Sequence, residues 1–319
     1  MEKELFTSIK TWWVLIVLLL AGGVLTVSSV RAANSTLESD TLDSWSSHGY
    51  ELVTVKAPGE VEVRAAAPGA DCVLDTNGMI SHWPLDDPLG ASTFVDVAGS
   101  INGTCDKNAG KCPTRTSGKV GGAFTFDASE KDVITVPAAI GDPGKVIYDN
   151  MANGNFSAGV WVKTTQTCIT GEINNKVFFG RYRDLNANGT WWLGCTEPGG
   201  LAVFRLRDST DTVRQIDGTS NITDGQWHYV VGVRDSAADK NYLYVDGKLE
   251  GMLDAPLYSG NFSSDMPITM GAYDEPTPYY LNGTLDEVVL YDRVLSGSAI
   301  SSYFESCRGG DIYIPLVIR

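Results

Sequence analysis

Histidines are the first residues to test for catalytic chemistry, because imidazole changes its charge near neutral pH. The chain has three, His48, His82 and His228. His228 follows Trp227 in the run DGQWHYVVGVRD and has no nucleophile beside it, so we interpret it as a strand residue rather than a general base. The sequence also lacks the G-x-S-x-G, H-E-x-x-H and P-loop motifs. We therefore predict a protein without catalytic residues.

Aromatic and arginine side chains are better candidates for a functional site than the histidines, because they could contact a ligand. Two tryptophans are adjacent, so in a strand one of them must point away from the core, where its ring could stack on a sugar. Two arginines alternate along one strand face and could meet an acidic glycan, although a solvated, ion-paired face is the more ordinary explanation. Two further tyrosines follow a proline in an expected loop. The predicted ligand contacts are Trp191, Trp192, Tyr279, Tyr280, Arg205 and Arg207.

Six cysteines predict disulfides rather than a metal site. Their number is even, the sequence contains no C-x-x-C, and no histidine lies close to a cysteine. One pair flanks a short loop, a second flanks a strand pair, and the remaining two would join the ends of a domain. Spacing thus favours the pairs Cys105–Cys112, Cys168–Cys195 and Cys72–Cys307.

The N-terminal segment indicates export. Lys3 and Lys10 precede an apolar run over residues 12–27, and Val30-Arg31-Ala32 has small residues at the −3 and −1 positions. We predict a helical signal peptide over residues 1–32, cleaved after Ala32, and a secreted, extracellular protein. The alternative is an uncleaved helix that anchors the protein to a membrane, since residues 12–30 are almost long enough to span a bilayer.

The net charge of the chain limits the classes of molecule that it can bind. The formal net charge is −15 at pH 7. Such a surface repels phosphate backbones, so we do not expect a nucleic-acid partner. It suits divalent cations, neutral glycans or basic proteins.

Short runs of alternating apolar and polar residues predict the strands that position these candidate residues. The composition includes 34 glycines and 13 prolines, which indicates frequent turns and an all-β fold. We predict one domain over residues 71–308, preceded by a linker over 33–70 and followed by a tail over 309–319. Only residues 295–306 look helical. Representative strand runs are GAFTFD, DVITVP, NFSAGVWVK, KVFFGRY, LAVFRLR, WHYVVGVR, NYLYVDG, PITMG and NGTLDEVVLYDR.

These motifs, in their order, resemble a known family. ISHWPLDD, SGKVGGAFTFDASEKDVITVP, FSAGVWVKT, DGQWHYVVGVRD, NYLYVDGKLEG, PITMGAYDE and LNGTLDEVVLYDRVLSGSAI are similar to the successive strands of concanavalin A-like LamG (laminin G-like) domains, over roughly residues 79–304. The resemblance implies a jelly-roll sandwich of two antiparallel sheets. Related domains bind sugars, proteins or lipids, often with calcium, or accompany glycosidases and adhesins, so function must be argued from the site.

The resemblance extends to pentraxins and implies a calcium site. In those proteins, the loop after the strand matching PITMG and a polar loop after an earlier strand supply the ligands. Calcium prefers six to eight oxygens from carboxylates, amides and carbonyls. Good turn chemistry explains the same residues without a metal. Carried over, the calcium ligands would be Asp184, Asn186, Asn188, Asp274 and Glu275.

A second cation site is implied near the ends of the domain. Asp86 or Asp87 of WPLDD and Asp286 of TLDEV belong to the family pattern. They could hold a structural ion between the N-terminal and C-terminal strands. Turn capping and hydrogen bonds between strands explain these carboxylates equally well.

The expected function is that of a secreted, non-catalytic, lectin-like module that binds an extracellular glycan, with calcium as a possible cofactor. The first alternative is a surface adhesion or structural protein that contacts other proteins and is anchored by an uncleaved N-terminal helix. The second is a glycan-degrading enzyme, although the E-x-D-x-x-E motif of glucanases with this architecture is absent.

Overall fold

The structure is a computed structural model that resolves the chain into two units. The larger unit, defined by its internal contacts, is Cys72–Cys307. The smaller unit consists of Met1–Asp71 and Arg308–Arg319. The residues described in full are 72–168, 176–181, 189–196, 199–254, 258–272 and 280–308, together with strand backbones in the smaller unit.

The smaller unit contains two antiparallel sheets. The expected signal peptide overlaps its first two strands, and its helical form and cleavage stay predictions, as do the linker and the tail. One sheet consists of β1 (Trp13–Leu20), β2 (Gly23–Ala33) and β3 (Thr36–Glu38). In the other, β5 (Glu60–Ala66) lies between β4 (Glu51–Val53) and β22 (Asp311–Val317).

The larger unit is a sandwich whose first sheet has eight antiparallel strands. Its order is β19-β18-β17-β12-β21-β10-β9, and β6 also pairs with β21. The strands are β6 (Met79–Trp83), β9 (Thr114–Ser117), β10 (Gly122–Phe126), β12 (Phe156–Thr164), β17 (Trp227–Asp235), β18 (Lys240–Val245), β19 (Lys248–Leu253) and β21 (Gly283–Tyr291).

The second sheet also has eight strands, in the order β16-β15-β14-β13-β20-β11-β8-β7. The two antiparallel sheets confirm the predicted all-β sandwich. The strands are β7 (Thr93–Phe94), β8 (Gly103–Thr104), β11 (Ile134–Val136), β13 (Lys176–Arg181), β14 (Thr190–Thr196), β15 (Leu201–Arg207), β16 (Val213–Asn221) and β20 (Ile268–Met270).

The main core fills the space between the sheets with large side chains. Phe156 of β12 contacts Trp191 of β14 and Phe204 of β15, with ring centroids 5.4 and 6.1 Å apart. All three are fully buried. Burial of each such ring contributes about 1.5–3 kcal/mol to folding. This packing joins the first sheet to the inner face of the second.

A second apolar layer lies on the outer face of the first sheet. Helix α2 (Gly297–Ser306), which falls within the predicted helical segment, covers Trp161 and Tyr229 with its Tyr303 and Phe304. Trp161 donates a hydrogen bond from Nε1 to the Tyr303 hydroxyl at 3.3 Å. The alternating face that begins at Trp227 therefore packs under a helix and not inside the sandwich.

A second helix, α1 (Lys145–Asn153), was not expected from the sequence. It connects β11 to β12, and its Asp149 forms an ion pair with the fully buried Arg181 at the end of β13. Arg181 also donates to the carbonyls of Ala138 and Ser264. In the described ranges, neither this helix nor any other is long and apolar enough to cross a membrane.

Three disulfides join the cysteines in the pairs that spacing favours. Cys72–Cys307 connects the two ends of the larger unit, over a sequence separation of 235 residues. The other two, Cys105–Cys112 and Cys168–Cys195, close segments with separations of 7 and 27 residues.

Candidate functional site

Three of the predicted ligand contacts share the outer face of the second sheet. Register pairs Trp192 of β14 with Arg205 of β15, and Arg205 with Gln215 of β16. Directly paired residues project to the same side of a sheet, and Arg207, two residues beyond Arg205, does likewise. Trp192, Arg205, Gln215 and Arg207 thus form one continuous patch, which we call the outer-face row.

The two adjacent tryptophans separate as alternation requires. Trp191 packs in the main core against Phe156 and Phe179, so its ring cannot contact a ligand. Trp192 belongs to a small separate cluster with Val177 and Val203. Of the predicted pair, only Trp192 lies on an outer face.

The indole of Trp192 lies along the strands rather than out from them. Two glycines leave the room that this needs: a Cβ at Gly194 would come within 2.8 Å of the ring, and one at Gly180 within 2.5 Å of the Trp192 Cβ. Trp192 is 1% exposed and Arg205 is 6% exposed. Arg207 and Gln215 are less completely buried, and Arg207 is ion-paired with Asp211.

Tyr280 lies at one end of the sandwich and is half-buried. Its carbonyl accepts a hydrogen bond from Gln166 Nε2 at 3.1 Å, and Gln166 Oε1 accepts one from the Asn282 amide at 2.8 Å. The remaining predicted ligand and calcium residues of the two polar loops lie outside the described residues. They are Tyr279, Asp184, Asn186, Asn188, Asp274 and Glu275.

The described residues that precede those two loops lie at different positions along β13. Residues 182–188 follow Arg181, the last residue of this strand. Residues 273–279 follow β20, where the Gly271 amide donates to the Phe178 carbonyl at 2.9 Å. Phe178 and Arg181 are three residues apart, about 10 Å along a strand.

Asp86 and Asp286 are brought together at the glycine-rich turn between β9 and β10. Asp286 Oδ2 accepts the amides of Lys119 and Val120 at 2.7 and 2.9 Å, and Asp86 Oδ1 accepts the amide of Gly122. The carboxylates therefore cap the turn, which is the role that the sequence left open beside a structural ion.

Asp286 has the most strongly perturbed carboxyl of this group. It is fully buried, and its Oδ1 has no hydrogen-bond partner among the described atoms. The pKa of Asp286 is raised to about 8, mainly by burial; the negative charges of Glu287 and Asp86 add to the shift, and the amide hydrogen bonds from Val120 and Lys119 oppose it. At neutral pH this group is a neutral acid, unless a cation replaces its proton.

The described residues do not bring together a full set of carboxylate ligands for calcium. Calcium takes six to eight oxygens, and two of the four carboxylate oxygens of Asp86 and Asp286 already accept amide hydrogen bonds. Across the described ranges, no group of three or more His, Cys, Asp or Glu side chains could hold a metal ion.

His228 sits between two aspartates, which sequence analysis did not anticipate. Its Nδ1 lies 2.8 Å from Asp246 Oδ2, and its Nε2 lies 3.0 Å from Asp224 Oδ1. The sequence contained a signal for these contacts, since both aspartates begin Asp-Gly turns. Asp224 begins the turn before β17, the strand of His228, and Asp246 begins the hairpin turn after β18. His82, by contrast, contacts the single carboxylate of Glu287, at 2.9 Å.

Comparison with protein families matches more than half of the chain. The profile described as the concanavalin A-like lectin/glucanases superfamily (Laminin_G_3) aligns with residues 135–301. A search of curated protein sequences gives no significant match.

Several solved structures are similar in fold. The binding domain of Paraclostridial Mosquitocidal Protein 1 superposes with a TM-score of 0.53 at 14% identity, covering 72% of this chain and 52% of that one. The binding domain of Botulinum Neurotoxin DC in complex with SialylT gives 0.51 at 14% identity, covering 73% and 52%. A Trypanosoma rangeli sialidase gives 0.52 at 16% identity, covering 72% and 33%. This chain thus spans about half or less of those proteins, and identities this low establish a shared fold alone.

Proposed function

Because the chain belongs to the concanavalin A-like lectin/glucanase superfamily, we propose that it is a secreted, non-catalytic module that binds an extracellular glycan. The fold itself hosts both enzymes and binding proteins, so the proposal depends on the site. Two of the structures with this fold are named as binding domains, one of them in complex with SialylT.

The observation that carries the proposal is the outer-face row. It combines a tryptophan, whose ring can stack on the apolar face of a sugar, with two arginines and a glutamine that can donate hydrogen bonds to hydroxyl or carboxylate groups. The row lies on the sheet whose inner face packs in the main core. Because Trp192 is 1% exposed, a ligand that reaches the indole must displace the groups that now contact it.

Two observations support the expected setting of this module. Three disulfides form and persist in oxidising compartments, which fits an extracellular location. The net charge of −15 disfavours nucleic acid and leaves neutral glycans and surface proteins as the partner classes.

The proposal includes calcium as a cofactor, with some of its ligands coming from the polar loops. Asp86 and Asp286 place two carboxylates at one turn. A bound cation would stabilise the buried Oδ1 of Asp286, which has no hydrogen-bond partner among the described atoms. The loop residues Asp184 and Asp274, with their neighbours, would have to supply the remaining oxygens of a second site.

A glycan array tests the proposal with the full chain, run once with calcium and once with EDTA. We expect binding to at least one glycan class, and Arg207→Ala should lower the affinity about tenfold, the usual cost of a lost charged hydrogen bond. The calcium part predicts that EDTA weakens binding and lowers the melting temperature.

Arg293→Ala is the matched control, because Arg293 forms an Arg–Asp pair with Asp75 away from the outer-face row. It should leave glycan affinity unchanged. Binding to a surface protein but to no glycan would replace the proposal with the adhesion alternative, and turnover of a glycan would replace it with an enzyme. Identical affinity and melting temperature in EDTA would overturn the calcium part alone.

A further inference from the structure

The contacts of His228 require a particular protonation state. Both ring nitrogens face carboxylate oxygens, those of Asp246 at 2.8 Å and Asp224 at 3.0 Å. An ionised carboxylate only accepts hydrogen bonds, whereas a neutral imidazole can donate from one nitrogen only. Two favourable contacts therefore exist only when both nitrogens carry protons, in the imidazolium form.

The two aspartates belong to separate turns, so the imidazolium connects segments that are distant along the chain. Asp224 opens the turn before β17 and accepts the amide of Gln226 at 2.8 Å. Asp246 opens the hairpin turn between β18 and β19 and accepts the amide of Tyr229 at 2.9 Å. We call His228, Asp224 and Asp246 the histidine clamp.

From this geometry we propose that the histidine clamp is a proton-dependent latch, which holds the Asp224 turn in place and through it orders the segment Tyr280–Asn282. The proposal names His228 as a positioning residue. It is independent of the glycan proposal, because it concerns the order of the segment with no ligand bound.

A continuous series of hydrogen bonds joins the turn to that segment. The amide of Gly225, next to Asp224, donates to the Thr164 carbonyl at 3.0 Å. Thr164 Oγ1 donates to the Asn282 carbonyl at 2.6 Å and accepts from the Gln166 amide at 2.9 Å. The Gln166 side chain then bonds to the backbone on both sides of Leu281, at the Tyr280 carbonyl and the Asn282 amide.

The neighbouring elements in the described part of the chain place apolar or distant side chains around the imidazole. In β12, Val162 lies opposite His228, and the charged neighbour Lys163 lies opposite Trp227 on the other face. Helix α2 presents Ser301 and Phe304 to Gly247 of the hairpin turn. Asp246 and Asp224 are the charged neighbours that shift the pKa of the imidazole most.

The balance of these effects favours the charged form. Burial lowers the pKa of His228, but the hydrogen bonds and charges of Asp246 and Asp224 raise it by more, so the net pKa lies above the ordinary 6.5. Since the folded pKa is raised, the stabilising contribution is fully present below pH 6.5 and is lost as the pH rises through the folded pKa.

The first test is a histidine NMR titration of the full chain, with ¹³C- and ¹⁵N-labelled histidine. His228 should carry protons on both nitrogens at pH 6 and titrate above the reference value. Asp224→Asn keeps an acceptor for the Gln226 amide but removes a charge, and should lower the pKa of His228 by about one unit. An unchanged pKa in this variant, or a His228 pKa at or below the reference, would overturn the clamp.

The second test measures amide hydrogen exchange at Gly225 and Asn282 between pH 5 and pH 9, expressed as protection factors corrected for intrinsic rates. In the wild type both should fall several-fold as His228 loses its proton, and in His228→Gln both should be low and independent of pH. His82→Gln is the control and should retain the wild-type profile, since His82 contacts one carboxylate elsewhere. Flat protection at either amide in the wild type would overturn the proposed coupling.

Discussion

At the scale of single residues, most of the buried carboxylates of this acidic chain cap backbone amides. Asp208 is fully buried and accepts amides from Thr210, Thr212, Ser259 and Gly260. Asp96 likewise accepts those of His82 and Gly99. Aspartates in polar loops thus have a structural use that needs no metal. Asp286 differs from both, because one of its oxygens is buried without a described partner.

Replacement of Asp286 by asparagine should stabilise the protein in a pH-dependent manner. The folded pKa is raised from 3.8 to about 8, so the stability that the protonated acid contributes is complete below pH 3.8 and is lost as the pH rises through 8. Asparagine keeps an acceptor for the Lys119 and Val120 amides and never ionises. In urea unfolding with EDTA present, Asp286→Asn should match the wild type near pH 4 and exceed it by a few kcal/mol near pH 8.

Asp208→Asn is the matched control. Burial raises the pKa of Asp208, but hydrogen bonds from Thr212, Gly260 and Thr210 lower it by more, so its charged form is the stabilising one. This variant should be less stable than the wild type at neutral pH. A destabilised Asp286→Asn at pH 8 would contradict the neutral-acid interpretation and would favour a bound cation.

At the scale of elements, local patterns predicted the long strands and the last helix well. The runs GAFTFD and NGTLDEVVLYDR became β10 and β21, and the helical segment became α2. The two-residue strands β7 and β8 were missed because segments so short carry too few periods for a pattern. Helix α1 was missed although its buried Tyr148, Met151 and Ala152 have helical spacing. α2 matters most, since it closes the second apolar layer over Trp161.

The start of helix α2 offers a direct test of that layer. Ser296 is the N-cap, and its side chain accepts the Ala299 amide at 3.1 Å. Ser296→Ala should lower the free energy of unfolding by about 1 kcal/mol. Chemical denaturation measures this, with the exposed helical Ser302→Ala as control, which should be neutral or slightly stabilising. Equal stability of the two variants would show that the cap is dispensable.

At the scale of the whole larger unit, three layers are tied at their chain ends. Sheet, sheet and α2 stack with an apolar layer at each junction. The Cys72–Cys307 disulfide then joins the first and last residues of this unit. A cross-link of chain ends restricts the unfolded state far more than a cross-link of neighbours does.

The disulfides should therefore contribute unequally to stability. The chain-entropy account predicts that removing Cys72–Cys307 by a double serine substitution costs about 3 kcal/mol more than removing Cys105–Cys112. The comparison requires both double variants and thermal or urea unfolding under non-reducing conditions. A larger loss for the Cys105–Cys112 variant would contradict this ordering.

The sequence by itself determined the fold class and the family, because alternation and turn residues are carried by neighbours along the chain. It also predicted the two short-range disulfides from spacing, and the Cys72–Cys307 pair from the two cysteines that remained. It also separated Trp191 from Trp192 by alternation alone. Only the tertiary structure decided which face each strand presents: the Trp227 face packs under α2, and Arg205 and Arg207 share the outer-face row. It likewise brought Asp286 to the Lys119 turn and His228 between two aspartates. Contacts of this kind join residues as far as 167 positions apart, where no local pattern can report which side chain will be the neighbour.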